Sequence, residues 1–318
     1  MYNLNVVSLT SLFLLPVLCW SQDPSANLFV NQGVKLEKLW GAGEFTEGAC
    51  LGPDEKIYFS DIGNRIMCFD PKTMKTDEYR SPSGRANGLK FNFKGELIAC
   101  EGANVGGNRA LSITKGNKRI ILADKWDGKK FNSPNDLALD NHGGVYFSDP
   151  RYLGDEKREI DSEAVYYVSL AGKVSQLITD LKKPNGLVIS PDYKTLYVAE
   201  ADNSPRGHRW LLAYSIIKPG TLDKAKLIYD FKQDRGIDGM TITTEGLIVA
   251  TAGKNASAGV YLFSPAGKKL GFVATPEDPT NVCFAGKDMS TLYITAGKSL
   301  YRIETKLKGF PMHGKIEK

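Results

Sequence analysis

The stretch Asn185-Gly-Leu-Val-Ile-Ser-Pro-Asp-Tyr-Lys-Thr-Leu-Tyr-Val198 decides the fold. It opens on an amide and a glycine, and apolar residues then alternate at Leu187 and Ile189. Pro191-Asp-Tyr-Lys is a turn, and Leu196-Tyr-Val is a second apolar run. Short β-type runs bounded by turn residues are the hairpin signature. The same reading recurs at Glu47-Gly-Ala-Cys-Leu, Asn87-Gly-Leu-Lys-Phe, Asn135-Asp-Leu-Ala-Leu, Asp238-Gly-Met-Thr-Ile and Asn281-Val-Cys-Phe-Ala. Successive starts lie 40, 48, 50, 53 and 43 residues apart. A third run, such as Ala164–Leu170, and a fourth, such as Lys173–Thr179, complete most units.

Four strands per unit and six units near this period predict an all-β fold, a six-bladed β-propeller spanning residues 30–306. The last unit lacks a fourth strand, because a polar tail, residues 307–318, follows Tyr301–Thr305. Val34–Trp40 precedes the first unit and is expected to supply that strand, closing the ring and covering an open sheet edge. Two separate β-sandwiches would not explain six aligned starts.

Composition agrees. Of 318 residues 32 are glycine, above the usual ~7% and suited to many turns. Three histidines argue against a multi-His metal centre, and a net charge of +5 without a basic block argues against nucleic acid as a partner. No P-loop, Gly-x-Ser-x-Gly elbow or His-Glu-x-x-His motif is present. Residues 1–22 carry no Lys, Arg, Asp or Glu, and Val6–Trp20 is apolar but too short to span a bilayer. Residues 1–21 are therefore read as a signal peptide that exports the chain to the periplasm or the extracellular space, with no membrane span. Cys50, Cys68, Cys100 and Cys283 fall in strand patterns and read as buried small hydrophobes, although spacing leaves a disulfide open.

The first strand of a propeller blade lines the central axis, so the six starts converge on one mouth of the channel. Glu47, Asn87, Asn135, Asn185, Asp238 and Asn281 supply two carboxylates and four amides. Oxygen donors of this kind suit a hard cation, Ca²⁺ above all, with Zn²⁺, Mn²⁺ or Mg²⁺ as alternatives. Such residues also cap strands and turns, and each position alone reads equally well that way. Loops between second and third strands return to the same face. They carry Asp61, Glu101, Asp149, Glu200, Asp202 and His208, and the two longest, from Asp149 to Ser162 and from Ala201 to Arg209, are lid candidates.

The stretches Glu47-Gly-Ala, Phe131-Asn-Ser-Pro-Asn-Asp-Leu, Tyr146-Phe-Ser-Asp-Pro-Arg-Tyr, Pro184-Asn-Gly-Leu, Gly236-Ile-Asp-Gly-Met and Thr280-Asn-Val resemble the SMP-30/gluconolactonase/regucalcin-like family over about residues 40–305. The resemblance implies a propeller lactonase with one divalent cation in the channel mouth. It places Glu47, Asn135, Asn185 and Asp238 as metal ligands and Asp238 as general base. Where the animal lactonases carry a substrate-binding Arg, this chain has Ser133. The candidate substrate contacts are Asn87, Asn135, Glu101, Arg151, His208 and Asn281. The expected partner is a small-molecule lactone, and the expected state is a monomer or weak dimer. Phosphotriester hydrolysis on the same ion, and non-enzymatic binding of a small molecule with a structural calcium, are the competing functions.

Overall fold

The computed structural model describes residues 28–102, 106–116 and 118–311. Residues 1–21, expected to be a signal peptide, and His313 lie outside them. Apart from one short 3₁₀ turn, Asn255–Ser257, the regular elements are strands. They form six antiparallel sheets arranged as a six-bladed propeller, as the repeat predicts. Blade 1 is Thr46–Leu51, Ile57–Asp61, Arg65–Asp70 and Lys75–Arg80, paired in chain order. The inner strands of blades 2 to 6 are Ala86–Phe91, Leu137–Leu139, Pro184–Ile189, Met240–Ile242 and Pro279–Ala285. A separate two-stranded ribbon, Lys125–Trp126 with Lys129–Lys130, lies between blades 2 and 3 in the chain.

The core lies between blades rather than at one centre. Ile98, Leu111 and Ile113 of blade 2 pack on Leu137, Phe147 and Tyr166 of blade 3, and comparable clusters fill the other junctions. Inner and second strands are buried almost throughout, whereas fourth strands such as Lys75–Arg80 are largely exposed on their outer edge. This gradient is what radial packing of twisted sheets requires.

The sixth blade has three strands of its own, Pro279–Ala285, Thr291–Ala296 and Ser299–Glu304. Its fourth is Glu37–Trp40, in the register Glu37 to Arg302 and Lys38 to Tyr301. Arg302 Nε donates to Glu37 Oε2 at 2.7 Å, and Lys38 Nζ to Glu277 Oε1 at 3.3 Å. The chain's two ends also meet outside this sheet. Lys306 N donates to the carbonyl of the fully buried Phe29 at 2.9 Å. Residues 307–310, predicted as the start of a polar tail, lie against the propeller: Leu307 is buried, Gly309 bridges Thr243, and Phe310 N donates to Ile242 O. The four described cysteines are free thiols, three buried and Cys68 half-buried.

Deleting residues 30–40 removes the closing strand and bares the edge of Ser299–Glu304. The truncated protein is expected to lose cooperative unfolding in a thermal melt; a melt like that of the full chain would refute the role of closure.

Candidate active site

Glu47, Asn87, Asn135, Asn185 and Asp238 meet at one mouth of the channel, where they line a cavity of about 450 Å³. Glu47, Asn87 and Asn185 lie within their inner strands, and Asn135 and Asp238 stand two residues before theirs, so five blades build the floor together. The residue after each ring position sets how closely neighbouring strands approach. A Cβ on Gly48 would lie 1.9 Å from Asn87 O, and one on Gly186 2.2 Å from Asp238 O. Only glycine fits there, which explains the pairs Glu-Gly, Asn-Gly and Asp-Gly.

Blade 6 departs from the sequence reading by one residue. Gly88 N donates to Asn135 O, and Gly239 N donates to Thr280 O, both at 2.7 Å. Asp136 N, Gly239 N and Asn281 N each donate to the hydroxyl of the second strand alongside, Ser148, Thr251 and Thr295. Asn281 therefore occupies the place of Asp136 and Gly239, and Thr280 is the sixth ring residue. A slip of one residue turns a strand's side chain to its other face. Asn281 accordingly spends its Oδ1 on Val282 N at 2.8 Å and does not line the cavity.

Three other expected substrate contacts are also placed elsewhere. Glu101 is fully buried and takes hydrogen bonds from Arg80, Asn108, Ser112 and Arg119. Arg151 is buried, with its guanidinium on the carbonyls of Glu156 and Asn132. His208 stacks on Trp210, with ring centroids 3.6 Å apart. None of the three lines the cavity.

The acids that end the second strands position the site rather than enter it. Asp61 Oδ1 accepts from the backbone of Glu44 and Phe45, Asp149 from that of Asn132 and Ser133, and Glu200 from that of Lys182 and Lys183. Each pair of bonds fixes the lead-in to a ring residue, respectively Glu47, Asn135 and Asn185. Burial pushes Asp149 up to about 7 despite these two donors, and Glu200 likewise to about 7.

At the floor, Asp238 Oδ1 accepts from Asn185 Nδ2 at 2.9 Å, and its Oδ2 pairs with Arg235. Arg235 also donates to Pro279 O at 2.8 Å. Glu47 is 4% exposed, and its Oε2 accepts from Gly48 N. Burial raises both acids; the charges of Asp238 and Asp136 raise Glu47 further, while Arg235 and Asn185 counter the effect of burial on Asp238. Two residues that the sequence reading did not select complete the floor. Arg235 lies one residue before the quoted Gly236-Ile-Asp motif, and Tyr152 is the last residue of the quoted Tyr146–Tyr152 stretch. Asn185 Nδ2 donates to Tyr152 Oη at 3.0 Å. Burial, then the charges of Asp238 and Glu200, raise the Tyr152 phenol well above its usual range, so it keeps its proton. The loop that delivers it is pinned by Glu163, which takes Arg158 at 2.6 Å and Lys183 at 2.9 Å.

The donor set fits a hard divalent cation. Two carboxylates in one buried floor gain most from a shared positive charge. Among the described residues the side-chain amides of Asn87 and Asn135 make no hydrogen bond, and Asn185, which donates twice through Nδ2, has its oxygen left to present. Among the described residues no three His, Cys, Asp or Glu side chains gather as a metal site, since here amides make up the balance.

Comparison with known proteins places the chain among lactonase-type relatives. Residues 45–298 match the family model described as the SMP-30/gluconolactonase/LRE-like region. A gluconolactonase of Zymomonas mobilis is 30% identical over 308 residues, covering 91% of this chain and 72% of that one. A lactonohydrolase of Aspergillus oryzae is 27% identical over 278 residues, covering 76% of this chain and 61% of the other. A solved structure provisionally described as a gluconolactonase superposes with a TM-score of 0.79 at 29% identity, over 92% of this chain and 98% of that one.

Asp149→Ala removes the acceptor of two buried backbone N–H groups and is expected to cost about 1–3 kcal/mol. The folded carboxyl keeps its proton to a higher pH than the unfolded chain, whose Asp titrates near about 4. Ionising it in the folded state therefore erodes its contribution. The stability gap between wild type and variant should narrow as pH rises from about 4 to about 7, measured by denaturant unfolding; a gap that widens over that range would contradict the assignment.

Proposed function

This chain belongs to the SMP-30/gluconolactonase/LRE-like family, and from that premise we propose that it hydrolyses a lactone with a divalent cation, calcium first, held by Glu47, Asn135, Asn185 and Asp238. The observation that carries the reading is the joint burial of Glu47 and Asp238 at the floor of a cavity large enough for a small cyclic ester. When bound, the cation supplies Lewis-acid polarisation of the ester carbonyl and charge for the developing oxyanion.

The protein's own groups do the rest. Asp238 accepts a proton from the attacking water, and Arg235 holds it ionised against the cost of burial. Asn185 donates through Nδ2 to both Asp238 and Tyr152, which orients its amide at the cavity floor. Tyr152 keeps a phenolic proton at the cavity floor, available to an oxygen of the substrate. In the reaction the water oxygen bonds to the acyl carbon, the ring C–O bond breaks, and the proton goes to the released alkoxide, giving a hydroxy acid.

Export is part of the same proposal. The uncharged apolar segment before Ser21 supports it, and cell fractionation of the full-length chain tests it.

Asp238→Asn and Glu47→Gln are expected to lower kcat/KM on lactones by at least ~100-fold, with folding checked by thermal melt. Chelation should abolish turnover, and added calcium should restore it. Full activity in chelator would overturn the metal assignment. Turnover of organophosphate triesters in place of lactones, or binding without turnover, would favour the competing functions.

A further inference from the structure

The cavity lining is not polar throughout. Of the twelve large apolar side chains exposed on the described molecule, Phe45, Tyr152 and Leu153 line this one cavity. Scattered exposed apolar residues are ordinary, whereas a cluster at one opening marks a contact surface for a ligand. The three come from two loops far apart in sequence. Phe45 stands in the lead-in to blade 1, where Asp61 holds its backbone. Tyr152 and Leu153 stand on the long loop of blade 3, pinned by Glu163. Ile62 and Ile237 extend the same wall.

Several of the polar groups around the cavity are engaged by the protein itself. Arg235 serves Asp238, Pro279 O and Gly253 O. Arg85 donates to Ile62 O, Ser133 Oγ to Gly102 O, and Asn185 to Asp238 and Tyr152. Glu44 and the amides of Asn87, Asn135 and Asn203 also line it and have no side-chain partner among the described residues; Asn135 is a proposed metal ligand. A polyhydroxylated lactone brings several donors and acceptors, and each one buried unpaired is costly.

We propose that the substrate is a lactone carrying an alkyl substituent. Its ring ester lies on the floor formed by Glu47, Asn185 and Asp238, and the chain packs on Phe45, Ile62 and Leu153. This rests on the lactonase reading. Substituent and wall bury each other, which favours the hydrocarbon over an equally large set of hydroxyls.

The test compares kcat/KM on δ-decalactone and on glucono-δ-lactone, with the full chain supplied with calcium. The wild type should prefer δ-decalactone by at least ~10-fold, and Leu153→Ser should lower that ratio about tenfold. Leu153 is 64% exposed, so its replacement leaves the core untouched; Phe45→Ser, on the other loop, should move the ratio the same way. A wild-type preference for glucono-δ-lactone, or a ratio that neither substitution moves, overturns the substrate class and leaves the lactonase standing. Absence of turnover on both lactones rejects the lactonase, and the substrate class with it.

Discussion

Backbone contact between neighbouring inner strands around the axis is the constraint on which the rest of the structure depends. Gly88 N reaches Asn135 O, and Gly239 N reaches Thr280 O, across blade boundaries. Such contact leaves no room for a Cβ at Gly48 or Gly186. It draws the preceding residues into one ring and turns residues some forty to fifty positions apart into neighbours. The site is therefore a property of the whole ring rather than of any blade. A change in one inner strand is felt by the next through direct main-chain contact.

The floor illustrates how such a ring handles charge. Glu47 and Asp238 are both buried, and burial raises both; the charge of Asp238 raises Glu47 further. Arg235 offsets part of that cost on Asp238, and Tyr152 contributes a neutral phenol rather than another charge. Among these groups two acids face a single cationic side chain, and the charge of Asp136 also raises Glu47. A site of this composition is poised for a cation and unsuited to an anionic ligand that would meet the carboxylates directly.

Much of this was legible in the sequence because repetition is visible without a structure. Glu47, Asn87, Asn135, Asn185 and Asp238 were identifiable from six aligned starts, and the closing strand from the missing fourth run of the last unit. The sixth position went wrong because Asn281 matches the ring's chemistry and Thr280 does not; the hydrogen-bond register decides between them, and a register is a three-dimensional fact. Glu101 went wrong for a related reason. Acids recur at the ends of the second strands in Asp61, Glu101, Asp149 and Glu200, and recurrence alone does not distinguish a functional ring from a repeated bracket. Arg235 and Tyr152 escaped because they occur once each and belong to loops, where no repeat singles them out.

The closing strand also sets an order of assembly. Glu37 and Arg302, which it joins, are 265 positions apart. The first strand to be synthesised is thus the last to find its partner. Until Ser299–Glu304 emerges, Glu37–Trp40 has no sheet to join, and the five complete blades cannot shut into a ring. Loop closure over such a span is entropically unfavourable until the intervening blades have shortened it. Closing the ring is then a docking of two distant strands rather than the folding of a blade.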